Sequence, residues 1–150
     1  MKLAEALLLR ADIQKKLASL RERIVANALT QEGSTPSQDP NAMLLEAAGT
    51  IDELESLVAA INVANLANNL PDGRSLTVAI AHRDSLVQRH GLLAAAIAAT
   101  QKEPNRYSAR EIKWVAAVDV TSLQKQLEDI SQKLRELNAR IQETNWKVEL

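Results

Sequence analysis

The chain has 150 residues, with 18 basic and 19 acidic side chains, a formal net charge of −1 and no cysteine. That length points to one domain, able to fold without disulfides or a metal, and the missing cysteines exclude disulfides, thiolate metal sites and cysteine nucleophiles. The charge balance argues against a general nucleic-acid binder, which needs a basic stripe to neutralise phosphates. With Trp114, Trp146 and Tyr107 the only aromatic residues, no stacking platform for bases is expected either.

At the start of the chain, Glu5 and Arg10 flank an apolar run too short for a signal peptide, and no small-residue cleavage site follows. The longest uncharged apolar stretch, around residues 92–99, is far short of the roughly 20 residues that span a bilayer. These features predict a cytoplasmic protein with no membrane association. The first helix is expected over residues 2–29, with a stripe of Ala6, Leu9, Ile13, Leu17, Leu20, Ile24 and Ala28 and no interrupting Gly or Pro. Residues 30–39 read as a connecting loop rich in Gly, Ser, Thr, Gln and Pro. Asp39 is a good N-cap, with Pro40 at the first helical position.

The second helix is expected over 40–69. Leu44, Ala47, Ile51, Leu54, Val58, Ile61, Asn65 and Asn68 alternate at spacings of 3 and 4, the seam of coiled-coil-like packing. Gly49 lies inside it and costs about 1 kcal/mol against Ala, which makes it a candidate for a close helix crossing. Pro71-Asp72-Gly73 is a strong turn signal. The third helix follows over 75–100, its stripe being Leu76, Ala79, Arg83, Leu86, His90, Leu93 and Ile97. So short a connection predicts an antiparallel hairpin that brings Asn62 and Asn65 to Arg83, with Asp84 one residue off the stripe.

In the connector over 101–118, Lys102-Glu103-Pro104-Asn105 reads as a turn. Ser108 and Glu111 have capping-box spacing, yet Ile112, Trp114, Ala116 and Val118 alternate with the strand period. An extended segment is the favoured reading, with a second copy of the chain as the natural pairing partner. Arg106, Tyr107, Arg110 and Lys113 form a basic, aromatic cluster beside Glu103 and Glu111, which reads as a solvated or interface segment. The last helix covers 119–146, capped by Asp119 or Thr121, with the stripe Leu123, Leu127, Ile130, Leu134, Leu137 and Ile141. Asp129/Lys133, Glu136/Arg140 and Glu143/Lys147 supply ion pairs at i,i+4. The expected fold is mainly α: four long antiparallel helices in an elongated bundle, with one short extended segment before the last helix.

The opening Lys2-Leu3-Ala4-Glu5-Ala6-Leu7-Leu8-Leu9-Arg10-Ala11-Asp12, together with Ile61-Asn62, Asn65, Arg83-Asp84, Arg89-His90, Val118-Asp119-Val120, Leu123-Gln124-Lys125-Gln126 and Thr144-Asn145-Trp146, resembles the septicolysin-like family of small bacterial proteins. The resemblance spans essentially the whole chain. It implies a small, mainly helical, oligomeric protein of unknown function. The family name adds a haemolysin-like, membrane-lytic activity, and no catalytic residue carries over.

Polar groups within an apolar stripe cost about 1–3 kcal/mol each when buried without partners. Asn62, Asn65, Arg83, Asp84 and His90 are therefore the candidate site. One reading is a buried network that fixes helix register; another is a site for a small anion or carboxylate, which Arg binds bidentately. His90 could act as acid or base, but no positioned nucleophile or carboxylate pair accompanies it, so catalysis is the less favoured role. His82 and His90 lack the spacing of a zinc helix, and no metal or cofactor is expected. The expected function is an interaction or structural protein that self-associates through Ile112, Trp114, Val118 and Trp146. The alternatives are a small-anion-binding protein or enzyme centred on Arg83, or a membrane-lytic protein.

Overall fold

A computed structural model describes residues 1–102 and 112–150. Its helices are α1 (Leu3–Asn27), α2 (Pro40–Ala67), α3 (Leu76–Thr100) and α4 (Val120–Lys147), and no strand occurs among the described residues. The chain divides into two compact units, one of Met1–Asn69 with Gln142–Leu150, the other of Leu70–Ile141.

In the first unit α1 packs on α2. The inward face of α1 runs Leu3, Ala6, Arg10, Ile13, Leu17, Leu20, Ile24 and Asn27, all buried or half-buried. Alternating spacings of 3 and 4 keep these side chains on one stripe. Leu9 and Ala28, expected in that stripe, are exposed, and Arg10 and Asn27 stand in their register. On α2 the covered stripe is Met43, Ala47, Thr50, Leu54, Leu57, Ile61 and Ala64. It is turned by about one residue from the predicted seam, which leaves Leu44 and Ile51 exposed. Thr50 is buried because its hydroxyl donates to the Glu46 carbonyl at 2.9 Å.

The caps follow local chemistry. Asp39 Oδ1 accepts from the Asn41 amide at 2.9 Å, and Pro40 opens the helix. Asn68, the last polar residue of the predicted seam, is the C-cap: its amide N–H and its side-chain Nδ2 both donate to the Ala64 carbonyl. In the preceding loop Asn27 Oδ1 accepts from Ser37 Oγ and the Gln38 amide. The chain ends meet: the Leu3 amide donates to the Val148 carbonyl, the Leu150 amide donates to the Met1 carbonyl, and Lys2 and Glu149 form an isolated antiparallel bridge with a 2.6 Å ion pair.

The second unit starts at a turn in which the Gly73 amide donates to Leu70 and the Leu70 amide to Arg74; Gly73 has φ +86°, a conformation that favours glycine. Ser75 Oγ caps α3 by accepting from the Val78 amide. The predicted stripe of α3 is the observed one: Leu76, Ala79 and Leu86 are buried, and Arg83, His90, Leu93 and Ile97 half-buried. Leu123, Leu127, Ile130, Leu134, Leu137 and Ile141 form the inward stripe of α4, also as predicted. Asp119 is the cap of α4, its Oδ1 accepting from the Ser122 amide.

The connector is helical nowhere over 112–119. Ile112, Trp114 and Val115 are all well exposed, so the alternating pattern buries neither face. The Ser108/Glu111 spacing and the cluster at Arg106, Tyr107 and Arg110 lie outside the described residues. Gly49 faces open space, since a Cβ there meets nothing within 4 Å, so it marks no close crossing.

Ile61→Ala and Leu76→Ala are each expected to cost about 2–5 kcal/mol, the usual loss for a fully buried aliphatic side chain. Gly49→Ala is expected to stabilise the chain by about 0.5–1 kcal/mol. Denaturant unfolding followed by circular dichroism measures all three.

Candidate functional site

Arg83 lies on the inward stripe of α3, but its guanidinium reaches its own neighbour. Nε and Nη2 donate to Asp84 Oδ1 at 2.9 and 2.7 Å. About a third of the Arg83 side chain is exposed (32%), and Asp84 is more open still. The charge is thus met locally in a wet setting, where such pairs contribute about 0–1 kcal/mol. Asn62 is exposed and Asn65 half-buried on α2 in the first unit, whereas Arg83, Asp84 and His90 belong to the second.

His90 is half-buried, and its Nε2 lies 3.1 Å from Ser131 Oγ on α4. This bond joins α3 to α4 and gives the imidazole a partner that can donate or accept. Among the described residues no group of three or more His, Cys, Asp or Glu could hold a metal ion.

The residues predicted for self-association are on the surface: Ile112, Trp114, Val118 and Trp146 are all exposed. More apolar surface lies on α2, where Leu44, Leu45, Ile51, Val63 and Leu66 are at least half exposed. A signal for it was present in the sequence. Between Ser56 and Pro71 no residue carries a charge, so over its second half α2 has no charged face, and Asn62 and Asn65 are its polar side chains.

A second feature is a small cavity of about 140 Å³ in the second unit, lined by Arg74, His82, Leu86, Lys133, Glu136, Leu137 and Arg140. The turn builds its rim. Asp72 Oδ1 accepts from the Arg74 amide, and Oδ2 accepts from Arg74 Nε and Nη2 at 3.1 and 2.6 Å; Arg140 Nη1 stands 3.8 Å from the same oxygen. The Arg74 side-chain bonds, then its backbone amide, hold the Asp72 carboxyl below the usual range. Lys16, Lys147 and Lys2 do the same to Glu46, Glu143 and Glu149. No sequence pattern pairs Asp72 with Arg140, because their separation depends on how the turn meets α4. Two buried polar atoms in the first unit, Arg10 Nε and Asn145 Oδ1, have no hydrogen-bond partner among the described residues.

A carboxylate whose pKa is lowered by folding stabilises the fold fully above its unfolded value of about 4, and loses that contribution as pH falls through the lower folded value. Asp72→Asn is therefore expected to make stability fall less steeply with acidification below about pH 4. Thermal melts of both proteins across an acid series test this.

No curated protein matches the chain. A crystal structure of a functionally unknown conserved protein from Corynebacterium diphtheriae is similar to it, with 31% sequence identity and a TM-score of 0.92 over 100% of this chain and 98% of that one. A family model described as "Family of unknown function (DUF6847)" matches residues 10–150. Neither match names a septicolysin-like family. This chain belongs to the family of unknown function DUF6847.

Proposed function

We propose that this chain is a subunit of a homo-oligomeric helical assembly, with an interaction or structural role. The observation that carries the reading is the second face of α2. Its first face is covered by α1, yet Val63 and Leu66 are about 70% exposed on a helix half without charge. An uncharged helix face with large apolar side chains is stabilised by a covering partner. Ala59, Val63 and Leu66 fall at spacings of 4 and 3, and Ala60 and Ala67 flank them. Such small side chains let a second helix approach closely. The partner is a second copy, because the face offers no charge by which to select a different chain. The last turns of α3, over 91–100, are likewise uncharged and expose Leu92.

The Arg83 alternative has less support, since Asp84 already occupies that guanidinium. For the membrane-lytic alternative, no helix among the described residues is long and apolar enough to cross a membrane.

Sedimentation velocity at micromolar concentration is the test. Wild type is expected to sediment as an oligomer, and Val63→Glu with Leu66→Glu as a smaller species of unchanged helicity. A wild-type monomer, or a charged variant with an unchanged sedimentation coefficient, would sink the proposal. In a Trp146→Phe background Trp114 is the sole indole. If the connector joins the contact, its emission is expected to shift to the red on dilution to monomer.

A further inference from the structure

We infer that the cavity lined by Arg74, His82, Lys133 and Arg140 is a binding site for a tetrahedral oxyanion, either inorganic phosphate or the phosphate group of a small monoester. The inference concerns the second unit alone and does not depend on self-association. Three separate elements supply its hydrogen-bonding groups: the turn gives Arg74, α3 gives His82, and α4 gives Lys133 and Arg140. A cluster drawn from one helix face would be ordinary surface patterning. Here residues remote in sequence converge on one concave space.

The size suits a small ligand. About 140 Å³ is close to the roughly 150 Å³ of a cavity that accepts one benzene, so a phosphate group fits. Leu86 and Leu137, both nearly fully buried, line the same cavity. They form its floor, while His82, Lys133, Glu136 and Arg140 stand at the solvent side, so attraction between an anion and these groups weakens as salt is added.

The charges are arranged to leave a surplus. Asp72 takes the Arg74 fork and so fixes that guanidinium at the rim, while Arg140 Nη1 stands 3.8 Å from the same carboxylate. Glu136, the carboxylate among the lining residues, accepts at Oε1 from Gln132 Nε2 at 3.0 Å. Lys133 has no ion-pair partner within 4.0 Å among the described residues. Among the described residues, three permanent cations at the cavity thus stand with two carboxylates, and His82 brings a further hydrogen-bonding group. Donors arriving from several directions match the oxygens of a tetrahedral phosphate better than the two oxygens of a carboxylate.

The experiment is isothermal titration of the full chain at low ionic strength with inorganic phosphate, glycerol phosphate and acetate in turn. Saturable phosphate binding is expected, with a dissociation constant of about 1 mM or below. Lys133→Gln is expected to weaken it by about tenfold, the loss of one charge-assisted hydrogen bond. Glu136→Gln should tighten it, which a purely structural network of cations would not do. Lys125→Gln, on α4 but outside the cavity, should leave it unchanged. Tighter binding of glycerol phosphate identifies a monoester as the ligand, and tighter binding of inorganic phosphate identifies the free ion. Binding that does not saturate, that is equally weakened by Lys125→Gln, or that acetate matches overturns the inference. Circular dichroism of each variant confirms that the fold is retained.

Discussion

Two packed helices cover one stripe on each other and leave the rest of each helix to other neighbours. Everything else in this chain follows from that geometric limit. Residues spaced alternately by 3 and 4 drift only slowly around a helix, so they form a seam that another helix can cover along its length. α1 and α2 use such a seam in the first unit. α1 and α4 place charge opposite the seam. The second half of α2 does not, and its outer side carries Val63 and Leu66 beside the uncharged Asn62. Burial of one face therefore leaves the other exposed, and the hydrophobic effect favours covering it.

The same limit explains what polar residues do within the stripes. A two-helix seam is narrow, so a long side chain such as Arg83 extends past its edge into water and pairs with Asp84. Shorter groups stay inside and find bonds close by. The Thr50 hydroxyl turns to the carbonyl four residues back, and Asn68 closes the end of α2. His90 uses Ser131 across the seam. Each choice satisfies a polar group with a near partner, as the cost of an unpaired buried group requires.

The turn before α3 carries more than a change of direction. Gly73 supplies the positive φ, Asp72 closes the turn by accepting from the Arg74 amide, and the same carboxylate holds the Arg74 guanidinium. Arg140 approaches from α4. One acidic side chain thus shapes both the backbone and a cluster of cations. Acidic turn residues are common for backbone reasons alone; the second role depends on which basic groups the fold brings within reach.

Periodicity and cap chemistry by themselves determined the helices. The ends of α2 and α3, the Asp39 and Asp119 caps and the full stripes of α3 and α4 were legible because they depend on contacts within a few residues. The α2 seam was legible in spacing but not in rotation. Leu44, Ile51, Val63 and Leu66 leave several faces of that helix apolar, and only the partner α1 selects which one is covered. Arg83 was legible as an anomaly in a stripe, but its partner was not, because a long side chain reaches beyond the position its Cα marks. The meeting of the chain ends at Lys2 and Glu149, the His90–Ser131 bond and the approach of Arg140 to Asp72 were decided by tertiary structure alone. Each joins groups far apart in sequence, and no local propensity encodes the distance between them.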